Sequence, residues 1–325
     1  MTAHFDIIGD IHGHAGKLRE LLLKLGYREQ RGCFRHPGRQ AIFVGDLIDR
    51  GSENFATLKI VKPMVDNGQA LIVMGNHEFN ALCFHTHDDR GRYIRKHSEK
   101  NLRQHQQVLD EIAVRGEKGS DEWQMYLDWF SRMPLFIEVA GIRVVHACWD
   151  GDAVEWIKNN KTSDSSGRLT KEFLLQSVKE STAEFEALET LLKGKEIYLP
   201  KEHPGIVDKD GHRRRKVRVK WWLPKEQREK AETYDQVTRI NENSLQELEK
   251  VQIPEHIRKR LKTESANKEE DKTPVFFGHY WFTGTPRLLS GHAACLDYSV
   301  ARGGKLVCYR YDGEFLLDES KFVFV

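Results

Sequence analysis

No apolar run in this 325-residue chain approaches the roughly 18 residues that a membrane-spanning helix needs. The amino terminus has neither a basic stretch nor a short apolar core of signal-peptide type, so a cytoplasmic protein with no membrane partner is expected. Cysteine is scarce. Cys33, Cys83, Cys148, Cys295 and Cys308 are odd in number, widely scattered and nowhere spaced like a zinc site. That excludes a disulfide framework and fits reduced thiols. Charge of one sign is lacking too: 51 Lys and Arg stand against 49 Asp and Glu, for a formal net charge of +2. A dominant polyanion-binding role is thereby disfavoured, although a local basic patch is not, and nucleic acid is possible as a partner without being favoured. No internal repeat is evident. What remains, 39% apolar and 31% charged residues, describes a globular chain long enough for one large domain or two small ones.

Short β-branched or apolar runs recur at Phe5–Ile8, Ala41–Val44, Ala70–Met74, Ile142–Val145 and Val275–Phe277. Between the first three lie two helical stripes. One is Leu18, Leu21, Leu22 and Leu25; the other is Phe55, Leu58, Val61, Met64 and Val65. Strand alternating with helix predicts βαβ units and a largely parallel sheet. The texture changes after His146. Lys158 to Lys272 is rich in Lys, Glu and Ser, with amphipathic helices expected near Phe173–Leu192 and Thr233–Leu261 and a hairpin turn at Asp208-Lys209-Asp210-Gly211. The stretch "ESANKEEDKT" reads as a solvated linker. This segment is expected to be an inserted α+β cap, leaving residues 1–157 and 273–325 as one core domain. In the tail, "HAACLDYSV" and "KLVCYRYDGEFLL" read as strands joined at Ala301-Arg302-Gly303-Gly304.

The stretch "DIIGDIHGHAG" places Asp10 and His12 two residues apart where a strand gives way to a turn, so both side chains leave the same side of the backbone. Alone it could be a metal site, a catalytic dyad or a satisfied polar turn. It is not alone. The second core strand ends in Gly45-Asp46-Leu47-Ile48-Asp49-Arg50-Gly51 and the third in Gly75-Asn76-His77-Glu78. A fourth ends in His146 ("VVHACWD") and a fifth in His279 ("FFGHYWF"). Strand carboxyl ends are where open α/β sheets place ligand sites. Asp10, His12, Asp46, Asn76, His146 and His279 offer oxygen and imidazole nitrogen without thiolate, a set suited to Mn, Fe or Zn. Six ligands exceed what one catalytic ion with an open position uses, and they suit two ions sharing a carboxylate.

The blocks "GDIHG", "GDLIDRG" and "GNHE" resemble, in type and order, those of the metallophosphoesterase superfamily. Within it they match the phosphoprotein-phosphatase branch, which holds serine/threonine phosphatases and diadenosine tetraphosphate hydrolases. The resemblance covers residues 1–150 and roughly 273–312. It implies a sandwich of two mixed β-sheets flanked by helices, with two divalent cations as cofactors, Mn before Fe or Zn. Asp10, His12 and Asp46 would hold the first ion. Asp46, Asn76, His146 and His279 would hold the second, with Asp46 bridging. A hydroxide shared by both ions would attack phosphorus. Arg50 would grip the phosphoryl oxygens, and His77, oriented by Asp49, would protonate the leaving oxygen.

Two departures from the family pattern bear on substrate. The His146 block continues Ala147-Cys148-Trp149 where Ala-Gly is usual, and no further arginine of the phosphate clamp aligns. The strand "RRRKVRVKWW" offers candidates, since Lys216, Arg218 and Lys220 alternate with Val217, Val219 and Trp221. Its basic face is either solvated or overhangs the metals, with Arg218 or Arg215 completing the clamp. Phosphorylated protein side chains are the first expected substrate, nucleotides of the dinucleoside polyphosphate or nucleic-acid-end type the second. A non-catalytic binding module is disfavoured by the intact ligand set. Other residues are read blandly. "HTHDD" (His85–Asp89) reads as a solvated segment, and His14, which follows the first motif at the edge of the expected pocket, is not assigned to substrate. Glu78 reads as a helix-dipole residue, Cys148 as packing, and Trp221-Trp222 as cap core.

Overall fold

A computed structural model describes residues 4–207, 213–240, 247–266 and 272–325. Two sheets face each other. In the first, Asp297–Tyr298, Lys305–Tyr311, Phe5–Ile8, Gln40–Phe43 and Ala70–Ile72 lie in that order, and Phe322–Phe324 also pairs with Lys305–Tyr311. Phe5–Ile8, Gln40–Phe43 and Ala70–Ile72 are parallel, while Lys305–Tyr311 runs antiparallel to Phe5–Ile8. The second sheet has the order Ala293–Cys295, Val275–Phe277, Ile142–Val145, Phe136–Val139 and is likewise mixed. Period-two alternation sorts the side chains. Ile7, Ile42, Val44, Val144, Phe276 and Val307 fill the space between the sheets. Ile8, Ala41 and Phe43 face outward into the core that the helices cover. Helices Ala15–Leu25 and Asn54–Asp66 bury the two leucine- and valine-rich stripes there. The architecture is therefore an α/β sandwich of two mixed sheets flanked by helices.

The segment between Lys158 and Lys272 carries its apolar residues in two places. Phe173, Leu174, Leu188, Leu191 and Leu192 join the helix-side core of the sandwich. Ile197, Leu199, Val217, Val219, Tyr234, Val237, Leu248, Ile253, Ile257 and Leu261 form a separate cluster around a small sheet of Glu196–Tyr198, Lys216–Val219 and Thr238–Arg239. Neither long helix expected here is continuous. Phe173–Leu192 is broken into Lys171–Gln176 and Ala183–Lys193, the second started by Thr182, whose hydroxyl accepts the Phe185 N–H at 3.1 Å. Thr233–Leu261 holds a four-residue helix, Tyr234–Val237, followed by Thr238–Arg239 paired with Arg218 and Val219. Residues 247–248 are helical again, and a further helix, Glu255–Ala266, starts just after Pro254. Strand pairing overrides helical spacing at Thr238. Ile206–Val207 and Arg213–Arg214 pair antiparallel, and the turn expected at Asp208–Gly211 lies outside the described residues. The "ESANKEEDKT" stretch begins as the end of the helix Glu255–Ala266, and its middle also lies outside them. All five cysteines are buried and none forms a disulfide. No helix among the described residues is long and apolar enough to cross a membrane.

Candidate metal centre

The strand ends do more than bring chemistry to one edge; they hold it in strained backbone. Six of the ten non-glycine residues with positive φ among the described residues are His12, Asp46, Asp49, Arg50, His279 and Trp281. Such conformations cost about 1–3 kcal/mol each and persist where the surroundings over-determine them. Glycines permit the close approaches. A Cβ on Gly278 would lie 1.8 Å from Asp10 Oδ1, and one on Gly75 would lie 2.3 Å from Asp46 Oδ1. Glu78, read from sequence as a dipole residue, is fully buried and ties two loops together. Its carboxylate accepts the N–H groups of Gly75, Asp46 and Leu47 at 3.0, 2.9 and 2.8 Å. Burial and the Asp46 charge push its pKa up to about 7.

Asp46 sits between two sets of imidazoles. Its Oδ2 lies 3.5 Å from His12 Nε2 and 3.9 Å from His77 Nε2, while Oδ1 lies 3.4 Å from His146 Nε2. Ligand atoms of His12, Asp46 and His77 lie within 4.8 Å of one another, and so do those of Asp46, His146 and His279. Asn76 Oδ1 is 3.2 Å from His146 Nε2, and the His279 N–H donates to Asp10 Oδ2 at 3.1 Å. Of the six expected ligands, then, His12, Asn76, His146 and His279 meet around the Asp46 carboxylate, and Asp10 joins them through the His279 N–H. All six are buried.

Burial and neighbouring charge pull the titrating groups of the site in opposite directions. Burial, with Asp297 and Asp46 nearby, raises the Asp10 pKa well above the usual carboxylate range. Burial alone would raise Asp46 as well, but His146 and His77 hold it well below. The same pairing overrides burial at His146 and lifts it to about 10, whereas burial lowers His12 to about 3. His279 is lowered well below its ordinary value by burial and then by the Arg218 guanidinium. His12 Nε2 and His279 Nε2 are buried without hydrogen-bond partners. Buried polar atoms are seldom left so. Two orphaned imidazole lone pairs beside a shared carboxylate are the donor set of a divalent cation site, so the residues fit the group.

Beside these stand the residues expected to act on substrate. His77 Nδ1 is 2.5 Å from Asp49 Oδ2. Arg50 is half-buried, with its guanidinium 4.4 Å from the centre of the Trp281 ring and its Nε without a partner. Trp281 stacks on His12, with ring centres 5.6 Å apart, and Arg302 lies 5.4 Å from the same indole. Arg218 is half-buried near His279 and Tyr280, its Nε without a partner. Arg239, its strand neighbour, donates to the Trp281 carbonyl at 3.4 Å. Arg215 is placed otherwise: it donates to the carbonyls of Pro200, Lys201 and His203. It serves a loop, which removes it as a clamp residue.

Sequence reading missed several participants. Asp297, fully buried, accepts the N–H groups of Trp281 and Ser299 at 2.7 and 3.0 Å. Trp281 and Arg302 were passed over, although Trp281 lies two residues from His279. His105 donates from Nδ1 to Asp49 Oδ1 at 2.7 Å. The solvated reading of "HTHDD" fails at His85, whose Nε2 is 3.3 Å from His105 Nε2. It holds for Asp88, bonded to Arg92, and for Asp89, paired with Lys171. His14 bonds its own turn, at the His12 and Ile11 carbonyls. Trp221 and Trp222 pack on Phe277 of the sandwich, and Trp221 Nε1 donates to the Ala147 carbonyl at 3.0 Å. They fasten the stretch between Lys158 and Lys272 to the sandwich and are not part of its separate cluster.

Buried carboxylates and imidazoles at the carboxyl ends of a two-sheet α/β sandwich define a metal-dependent class of protein. The chain belongs to the calcineurin-like phosphoesterase family, whose profile matches residues 3–280. Among curated proteins it is 32% identical over 143 residues to the asymmetrical bis(5'-nucleosyl)-tetraphosphatase PrpE of Oceanobacillus iheyensis, covering 44% of this chain and 54% of the relative. It is 30% identical over 151 residues to the symmetrical bis(5'-nucleosyl)-tetraphosphatase of a Marinomonas species, covering 44% and 45%. The chain thus spans about half the length of the curated relatives it matches. Among solved structures, a protein serine/threonine phosphatase of Saccharomyces cerevisiae aligns over 100% of this chain and 79% of that one, at 14% identity and a TM-score of 0.47.

Proposed function

We propose that this chain is a two-metal phosphoester hydrolase acting on a nucleoside polyphosphate. The observation that carries the reaction class is the placement of Asp46, with one oxygen toward His12 and His77 and the other toward His146, beside two orphaned imidazole nitrogens. Asp10, His12 and Asp46 would hold one divalent ion, and Asp46, Asn76, His146 and His279 the other, with Mn the first candidate. Ions held there would activate water and neutralise charge on the phosphoryl group. The remaining work belongs to side chains. Arg50 presents a planar fork to two phosphoryl oxygens. His77, its Nδ1–H held by Asp49, turns Nε2 toward Asp46 and delivers its proton to the leaving oxygen. Asp49, held ionised because His105 and His77 outweigh its burial, steadies the imidazolium before that transfer.

The polyphosphate reading rests on the number of cations. Arg50, Arg218, Arg239 and Arg302 gather around Trp281 and His279, more positive charge than one phosphoryl group needs. The relatives named as tetraphosphatases support it. This reverses the order expected from sequence, where phosphorylated protein side chains came first; that second reading keeps the support of the Gly45–Gly51 motif. In the test, Mn-loaded protein is assayed on diadenosine tetraphosphate, a phosphoserine peptide and p-nitrophenyl phosphate, with a chelated control. Highest kcat/KM on the tetraphosphate is expected. Preference for the peptide would restore the second reading, and absence of metal-dependent turnover on all three would overturn the hydrolase reading.

A further inference from the structure

Asp49 has two imidazoles, not one. Its Oδ2 is 2.5 Å from His77 Nδ1 and its Oδ1 is 2.7 Å from His105 Nδ1, and all three side chains are buried. A carboxylate only accepts, so both Nδ1 atoms carry the proton. His77 Nε2 is thereby left facing Asp46, and His105 Nε2 faces His85 Nε2 at 3.3 Å. Only one proton fits between those two nitrogens, so a single N–H···N hydrogen bond joins His105 to His85. Burial, then the His105 ring, depress the His85 pKa to about 4, which keeps His85 neutral. The rings of Phe84 and Trp123 wall the pair, 5.1 and 5.7 Å from His105.

The element behind this is the helix Glu99–Phe130, which is tied to the Gly45–Gly51 loop twice. His105 binds the Asp49 carboxylate. Glu111, further along the helix, accepts from Asn54 Nδ2 at 2.7 Å and from the Phe55 N–H at 3.1 Å, while Asn54 Oδ1 accepts the Asp49 N–H at 2.7 Å. Asp49 and Arg50 both have positive φ, so the loop needs such support.

We propose that His105 is a positioning residue for the proton donor: by occupying one oxygen of Asp49 it fixes the other on His77, with His85 fixing His105 in turn. The inference rests on the hydrolase reading. Without His105, Asp49 can rotate about its Cβ–Cγ bond and His77 loses a defined aim. Groups one shell behind the chemistry typically change activity by about 10–100-fold.

Two variants separate position from bulk. In His105→Asn the amide nitrogen falls near the place of Nδ1 and can still donate to Asp49; in His105→Gln it falls near Nε2 and cannot. On Mn-loaded protein, His105→Gln is expected to lower kcat on phenyl phosphate by about 10–100-fold, with KM within about twofold. The loss on p-nitrophenyl phosphate, whose leaving group scarcely needs a proton, is expected to stay under about fivefold, and His105→Asn to remain within about threefold on both. Equal losses on the two esters, or equal behaviour of the two variants, would overturn the proposal. A second readout does not use turnover. Wild type should show two low-field imidazole N–H proton resonances, for His77 and His105, and His105→Gln should lose one and broaden the other. A sharp, unshifted His77 resonance in that variant overturns the positioning role whatever the kinetics. Inactive wild type with the resonances behaving as expected would instead overturn the hydrolase reading and leave the carboxylate geometry standing.

Discussion

Two sides of one site hold their histidines differently. On the metal side, His12 and His146 give Nδ1–H to backbone carbonyls, of Ile48 at 3.0 Å and Val44 at 2.8 Å. That anchoring leaves Nε2 of each on the Asp46 side, as the nitrogen that would bind a cation there. On the other side, His77 and His105 give Nδ1–H to a carboxylate, Asp49. A carbonyl anchor suits a cation ligand; in the proposed reaction a carboxylate anchor suits His77, which must carry positive charge before giving a proton away, and His105 shares that anchor only to position it. The same side chain is thus assigned opposite tasks by what its inner nitrogen touches.

Breaking the metal side should have the largest effect. Asp46→Asn removes the charge that both sets of imidazoles face, and turnover of p-nitrophenyl phosphate should fall to near background. Retained turnover would show that Asp46 is dispensable and that the two histidine groups do not share a cation pair. Next comes the acid side. His77→Asn should cost about 10²–10⁴-fold in kcat on alkyl phosphates and distinctly less on p-nitrophenyl phosphate. Equal losses would place His77 on the metal side, where its 3.9 Å distance to Asp46 also allows it.

Between the sides lies the arginine cluster. Arg218→Ala should raise KM or lower kcat by about 10–10³-fold on diadenosine tetraphosphate, with metal content and Tm near wild type. Kinetics unchanged on every substrate of the panel would return this strand to a solvated role. The smallest effect concerns His85. Its pKa falls from the ordinary 6.5 to about 4, chiefly through burial, with His105 and His97 adding and Asp49 opposing. Between those values the unfolded chain binds a proton that the folded chain does not, so stability falls as pH is lowered from about 6.5 to 4. His85→Gln should flatten part of that fall in a series of Tm measurements. Identical pH slopes would mean that His85 titrates freely.

The metal side was the legible one. Asp10, His12, Asp46, Asn76, His146 and His279 each follow an apolar strand directly, so strand pattern and ligand chemistry could be read together. The sandwich was legible for the same reason: strands buried on both faces are short unbroken apolar runs. The carboxylate-anchored side was half hidden. Asp49 and His77 lie in contiguous motifs, but His105 is 56 residues from Asp49 and arrives on a helix. Its one signal was helical spacing with Val108 and Ile112, a histidine on an otherwise apolar face, which more often marks a core residue. Arg218 was legible as one face of an alternating strand, but its approach to His279 was not, because tertiary placement of the inserted segment decides it.

In the proposed centre one carboxylate, Asp46, serves two cations at once. Elemental analysis of protein reconstituted with Mn and freed of excess metal tests it most directly, on wild type beside Asp46→Asn. Two ions per wild-type chain and at most one in the variant are predicted; two tightly held ions in Asp46→Asn, or none in wild type, would contradict it.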